Sequence, residues 1–260
     1  MKVALIQLDI AFGNPDQNYQ HADSLIQQAL RQSPDVIVLP ELWTTGYDLT
    51  RLDTIADKNS ERLSRFASAL SAKYNVNLIA GSVACRSGGK VTNTLNVFDR
   101  SGSCTKTYSK VHLFRLMKEE RYLAAGEKDG LFTIDGTPAA AFICYDIRFP
   151  EWLRKHVLLG AKVLFIPAEW PLARLDHWRT LLICRAIENQ AFVVACNRSG
   201  SDPDNAFAGH SLIISPWGKI IAEAGETEDV LCGEMDLEDI ELIRHRIPVF
   251  ADRRPALYDR

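Results

Sequence analysis

Twice along the chain, an apolar run long enough for one buried strand ends in proline, a carboxylate and tryptophan. The first is Pro34-Asp35-Val36-Ile37-Val38-Leu39-Pro40-Glu41-Leu42-Trp43. The second is Gly160-Ala161-Lys162-Val163-Leu164-Phe165-Ile166-Pro167-Ala168-Glu169-Trp170. Each follows a segment of helical periodicity, so each reads as a helix feeding a buried strand. Elements in this alternation pack as sheets with helices over them. The repeat predicts two α/β halves packed as one domain, with two sheets inside and helices outside. No linker or low-complexity segment divides residues 1–260.

The remaining elements fit between these anchors. Lys2 to Leu8 reads as a buried strand. Asn14 and Pro15 suit the start of a helix carrying Ala22, Leu25, Ile26, Ala29 and Leu30 on one face. Ser60 is placed to cap a helix through Tyr74, and Val76 to Val83 is a third strand. Gly88-Gly89 marks a hairpin turn before strands at 91–98 and 104–108. Residues 110–128 are irregular and charged, long enough for a functional loop. A hairpin turns over Asp135-Gly136. A helix after Cys144 runs to about Leu159, with Gly160 beyond its end. Asp176 is placed to cap a helix through Glu188. Further strands are expected at 191–195, 210–214, 219–224 and 230–235, with a last helix from Leu237 to about His245.

The run Ala139-Ala140-Ala141-Phe142-Ile143 stops at Cys144, and Tyr145-Asp146-Ile147-Arg148-Phe149-Pro150 leads into the next helix. Pro150 suits the first helical position, and Glu151 favours the positive helix end. The thiol thus sits on a strand-to-helix corner. Such a corner can hold a nucleophile out from the sheet, with backbone N–H groups nearby for an oxyanion. A buried structural cysteine is the alternative at this point, since most free cysteines are that.

Composition narrows the field of partners. A formal net charge of −3 and scattered Lys and Arg give no basic face for nucleic acid. The six cysteines, Cys85, Cys104, Cys144, Cys184, Cys196 and Cys232, form no CxxC pair. Neither a zinc site nor a disulfide framework is expected. The sequence opens directly into Val3-Ala4-Leu5-Ile6 with Gln7 behind, and no run spans a membrane. A reduced, cytoplasmic protein is the simplest expectation.

Other chemistry-bearing residues have plain structural alternatives. Glu41 lies at the rim of a sheet, where a pocket is expected, or it caps the following loop. Lys110 ends a strand but has the type of a solvated surface residue. Glu119 and Glu120 fall in a charged loop. A Cys–His pair is open to His112, His177 or His210, and spacing selects none of them. No His/Asp/Glu set clusters as metal ligands.

Together, three separated segments resemble the motifs of the nitrilase superfamily of carbon–nitrogen hydrolases. They are Pro40-Glu41, Tyr108-Ser109-Lys110-Val111-His112-Leu113-Phe114 and Cys144-Tyr145-Asp146-Ile147-Arg148-Phe149-Pro150, in the family's order. Thr92-Asn93-Thr94, Arg185-Ala186-Ile187-Glu188-Asn189-Gln190 and Gly209-His210-Ser211 extend the match over essentially the whole chain. The resemblance implies an α-β-β-α sandwich, often paired across a dimer, and a Glu41–Lys110–Cys144 triad. It also implies a second glutamate in the loop after the lysine. Glu119 fits best by its interval to Gly126, with Glu120 as its neighbour.

Within the superfamily, Asp176-His177-Trp178, Arg185 to Gln190, and Ile247-Pro248-Val249-Phe250 with Arg254 and Leu257-Tyr258 resemble the omega-amidase branch. Pro167-Ala168-Glu169-Trp170-Pro171 is similar to bacterial members linked to methionine salvage, and Glu169 departs from other omega-amidase-like members. The implied substrate is a small omega-amide such as 2-oxoglutaramate or succinamate, hydrolysed through a thioester without cofactor or metal. Glu41 would move protons, and Lys110 with the Tyr145 N–H would hold the oxyanion. Arg115, Trp170 and His177 join Tyr145 as expected substrate-binding residues, Arg115 as the partner of a distal carboxylate. An N-carbamoyl-amine or nitrile hydrolase, or a catalytically silent binding protein on the same fold, are the competing readings. A homodimer or larger homo-oligomer is expected.

Overall fold

The computed structural model describes residues 1–258; Asp259 and Arg260, the end of the expected domain, lie outside the described residues. In chain order the elements are β1 (Lys2–Gln7), α1 (Pro15–Leu30), β2 (Val36–Val38), α2 (Leu52–Ile55), β3 (Asp57–Lys58), α3 (Glu61–Tyr74), β4 (Asn77–Ser87), β5 (Lys90–Phe98) and β6 (Cys104–Ser109). After the irregular loop come β7 (Leu131–Ile134), β8 (Thr137–Ala141), α4 (Pro150–Leu158), β9 (Val163–Ala168), α5 (Leu175–Asn189), β10 (Phe192–Asn197), β11 (Leu212–Ile214), β12 (Ile220–Glu223), β13 (Asp229–Glu234) and α6 (Asp239–Arg246).

Two sheets form, each with a parallel centre and antiparallel flanks. The first runs β13-β1-β2-β4-β5-β6, with β3 beside β4; the second runs β12-β11-β10-β9-β8-β7. In the first, β1, β2 and β4 are parallel. In the second, β8, β9 and β10 are parallel. Parallel strands need covering on both faces, and the side chains comply. Val3 and Leu5 of β1 join the cluster that includes β9 and β10, while Ala4 and Ile6 join the one formed with α1 and α3. Trp178, Leu182 and Ala186 of α5 and Leu153 and Val157 of α4 cover the second sheet. The order is helices, sheet, sheet, helices, the expected four-layer sandwich. Cys196 lies between the sheets; its thiol donates to the Ile6 and Val38 carbonyls at 3.3 and 3.4 Å. Among the described residues no helix is long and apolar enough to cross a membrane.

Several local expectations need correction. Ser60 occupies the cap position of α3 in a left-handed conformation and makes no side-chain cap bond. Asp57 does the capping instead, its carboxylate accepting from the N–H groups of Arg62 and Leu63 at 3.1 and 2.8 Å. The helix expected from Asp176 begins at Leu175, leaving Asp176 in its first turn. The last helix starts at Asp239 rather than Leu237. A 3-10 turn, Cys144–Arg148, comes before the helix that Pro150 opens.

Candidate active site

The first carboxylate is delivered by the turn after β2. Glu41 is fully buried. Its Oε1 accepts from Lys110 Nζ and Asn93 Nδ2, each at 2.8 Å, and lies 3.2 Å from Tyr47 Oη. Its Oε2 accepts the backbone N–H of Glu169 at 2.8 Å, so the two strand ends touch across the sheets.

Lys110 follows β6 and is also fully buried. Its ammonium reaches Glu119 Oε1 at 2.6 Å as well as Glu41. Burial disfavours the charge, but Glu119 and Glu41 outweigh it and hold this lysine well above the ordinary lysine range. Glu119 is buried as deeply. Its Oε1 also accepts from Tyr47 Oη at 2.5 Å, and its Oε2 accepts the Phe114 N–H at 2.7 Å. Burial raises its carboxyl above the usual range, against the pull of Lys110. Glu120 beside it is exposed, so Glu119 is the glutamate that the loop turns inward. Gly126 closes that loop onto β6: its N–H donates to the Lys110 carbonyl at 2.8 Å. A Cβ there would sit 2.1 Å from the Ser109 carbonyl oxygen, so only glycine permits the approach.

Cys144 takes φ of +45°, a left-handed conformation uncommon outside glycine and concentrated at functional sites. Asp146 holds the corner. Its carboxylate accepts the Ile143 N–H at 2.9 Å, Tyr108 Oη at 2.7 Å and the His112 N–H at 3.1 Å, and lies 2.7 Å from His112 Nδ1. The strand carrying Cys144 and the segment carrying Lys110 are thus fastened together by one carboxylate. His112 is engaged in that fastening, and His210 pairs with Glu223 at 2.8 Å, so neither is free for a Cys–His pair. Burial, with the nearby Glu41 charge, pushes the Cys144 thiol well above its ordinary pKa despite Lys110. A thiol shifted in that direction needs a base to take its proton as it attacks.

Cys144 opens on a small cavity of about 240 Å³ including its mouth, lined by Phe114, Tyr145, Arg148, Glu169, Trp170 and Arg174, with Pro171 at one side. Tyr145 and Trp170, two of the residues expected to bind substrate, are in its wall. Arg115 is not: it is exposed and lines a neighbouring groove with Leu113 and Phe149. His177 is off the cavity as well, and its Nδ1 meets Arg148 Nη2 at 3.3 Å. The cations in the wall are Arg148, stacked 4.8 Å over the Trp170 ring, and Arg174, 5.5 Å over Phe114.

Sequence reasoning assigned no role to Tyr47, Asn93, Arg148 or Arg174. Asn93 and Arg148 lie inside quoted motifs, a signal that could have raised them. Tyr47 and Arg174 carry none.

A sequence model of the carbon-nitrogen hydrolase family matches residues 2–245. The 2-oxoglutaramate amidase of Bacillus subtilis (strain 168) is 52% identical over 256 residues, 98% of this chain and 98% of its own. Omega-amidase NIT2 of Homo sapiens is 31% identical, covering 99% of this chain and 96% of its own length. The solved structure of Saccharomyces cerevisiae Nit3, a member of branch 10 of the nitrilase superfamily, fits with a TM-score of 0.90 at 30% identity, over 98% of this chain and 96% of that one.

Proposed function

The chain belongs to the carbon-nitrogen hydrolase family, and from that premise we propose that it hydrolyses a small omega-amide such as 2-oxoglutaramate or succinamate to the acid and ammonia. Glu41, Lys110, Cys144 and Glu119 carry the reaction. The observation that supports this most is the buried Lys110 ammonium bonded to both Glu41 and Glu119, with Cys144 in the wall of the small cavity beside them.

The amide carbonyl enters with its oxygen toward Lys110 Nζ and the Tyr145 backbone N–H. Glu41 takes the thiol proton as the sulfur bonds the carbonyl carbon, and the oxyanion is held by those donors. Glu41 then gives that proton to the nitrogen, the C–N bond breaks, and ammonia leaves a thioester. Water follows: Glu41 removes its proton, hydroxide adds to the thioester carbon, and the sulfur leaves with the proton restored. Glu119, bonded to Lys110, Tyr47 and the Phe114 N–H, fixes the lysine and stays a carboxylate acceptor. Arg148 and Arg174 meet the substrate's distal carboxylate, the role first expected of Arg115.

The chain acts as one catalytic domain in the cytoplasm, and as a homodimer or larger homo-oligomer. Leu158 and Leu159 at the end of α4 and Ile187 on α5 are exposed apolar side chains available to such a contact.

An ammonia-release screen over short omega-amides, N-carbamoyl amines and nitriles tests the reading. Ammonia without CO2 from 2-oxoglutaramate or succinamate is the expected result. Equimolar CO2 with ammonia from a carbamoyl amine, and silence on the omega-amides, would replace it.

A further inference from the structure

We propose that Glu169 is a specificity-determining residue: its Oε1 donates a hydrogen bond to a carbonyl oxygen on the substrate's acyl chain, so that a 2-oxo omega-amide is accepted and a 2-ammonium one is refused. The inference rests on the amidase reading above.

Glu169 is fully buried and lines the cavity of Cys144. Its Oε2 accepts from Arg198 Nη1 at 3.0 Å. Its Oε1 is buried and has no hydrogen-bond partner in the protein. Buried polar atoms are almost always satisfied, so an orphan in the wall of a substrate cavity points to a partner that arrives with the substrate.

The character of that atom follows from counting charges. The buried cluster holds three carboxyls, Glu41, Glu119 and Glu169, and two cations, Lys110 and Arg198. One negative charge is in surplus, and a surplus buried charge is relieved by keeping a proton. Both oxygens of Glu41 and both of Glu119 already accept from donors. Glu169 Oε1 alone meets none, so the proton settles there. Burial supports this by raising the Glu169 carboxyl to about 8; Arg198, from the end of β10, opposes it, while Glu41 and Asp202 add to it. Asp9, 3.7 Å from Arg198, also draws on that cation, and Arg148 and Arg174 face the same cavity.

At neutral pH the cavity therefore presents an O–H lacking an acceptor. In 2-oxoglutaramate the amide oxygen goes to Lys110 and Tyr145, and the distal carboxylate to the arginines. The 2-oxo oxygen remains. Glutamine carries an ammonium at that carbon and would set donors against a donor, beside two arginines. Rejection by a mismatched hydrogen-bonding group is stronger than rejection by size alone.

The test compares kcat/KM for 2-oxoglutaramate with that for glutaramate, which has a methylene in place of the ketone, and with that for glutamine. Wild type prefers the ketone. In Glu169→Gln the side-chain carbonyl must face Arg198, which only donates, so the NH2 falls where Oε1 was. That variant keeps the preference within about threefold, while Glu169→Ala lowers it about tenfold or more, the scale of one buried hydrogen bond. As pH rises from 7 to 9 the wild-type preference for 2-oxoglutaramate over glutaramate falls, because the acid ionises, and in Glu169→Gln it stays level. This arm stands even if Glu169→Ala fails to fold. A preference unchanged in Glu169→Ala, lost equally in both variants, or flat with pH in wild type overturns the assignment. A wild type silent on every omega-amide overturns the amidase reading and this inference with it.

Discussion

The turn after β2 and the turn after β9 begin from nearly the same local sequence and end in different electrostatic states. Each places a fully buried glutamate at a strand end, with a tryptophan behind it and a buried cation against it. Glu41 meets Lys110, and Glu169 meets Arg198. Each tryptophan indole donates to a backbone carbonyl, of Ala80 in the first case and Arg174 in the second. The partners brought from elsewhere differ. Glu41 receives Lys110, Asn93 and the Glu169 N–H, leaving neither oxygen idle. Glu169 receives Arg198 on one oxygen only. A strand end sets where a carboxyl sits; the donors around it decide whether it holds a charge that moves protons or a proton that reads a substrate.

The sharpest way to break this contrast is at the first strand end and the thiol it serves. Glu41→Gln loses the base for the thiol and the acid for ammonia together, and kcat is expected to fall by ~10²–10⁴. Cys144→Ala falls to the background of the preparation, whereas Cys85→Ala, Cys104→Ala and Cys232→Ala keep the chemical step. Steady-state rates with 2-oxoglutaramate, alongside circular dichroism to check folding, decide this. A Glu41→Gln variant within tenfold of wild type would make the two strand ends chemically equivalent, contrary to the division drawn here.

The cations offer the next test, read in stability. Lys110→Met strands Glu41 and Glu119 against each other, a loss of ~3–5 kcal/mol at neutral pH. The pH dependence has a definite sign. Burial already raises Glu119, and losing Lys110 raises it further. A carboxyl raised in the folded state favours folding at low pH, and that contribution is lost as pH rises through its folded value. The urea midpoint of Lys110→Met should therefore lie closest to wild type near pH 5 and fall away by pH 7.5. A deficit that stays constant with pH would mean that Lys110 is held by packing rather than by its two carboxylates.

Much of this was readable in the chain because two of the central groups sit at the ends of continuous apolar strands. Glu41 and Cys144 terminate such runs, whereas Lys110 follows the polar, mostly exposed strand Cys104–Ser109 and stands out only within its motif. Glu119 is recognisable through its interval to Gly126, whose missing Cβ lets the loop close on Ser109. Other features have no local signal. Tyr47 reaches Glu119 across 72 residues, and Arg198 turns inward because the end of β10 lies beside β9. Arg115 and Arg174 are both plain loop arginines in sequence. Only the fold of residues 110–128 and the turn after Trp170 send one to an outer groove and the other to the cavity wall. The same holds for Asp57, which caps α3 from the short β3 in place of Ser60.

The smallest expected effect separates those two arginines and sharpens the second strand end as the region that reads the substrate. Arg174 is half-buried, its guanidinium lies 5.5 Å over Phe114, and its carbonyl accepts the Trp170 indole N–H at 2.7 Å. A cation so placed loses little freedom when a carboxylate arrives, and one charge-assisted hydrogen bond is worth ~1.5–3 kcal/mol. Arg174→Ala should raise KM for 2-oxoglutaramate about tenfold with kcat changed far less, because the distal carboxylate is bound alike in the ground and transition states. An uncharged aliphatic amide of the same length should lose less than about threefold, since it has no anion to pair. Arg115→Ala should shift either KM by less than about twofold, as its side chain is solvated outside the cavity. If Arg115→Ala raises KM for the charged substrate while Arg174→Ala does not, the carboxylate leaves the cavity toward the outer groove. The acyl chain would then run past Phe114 rather than past Trp170, and the second strand end would lose its claim to the substrate.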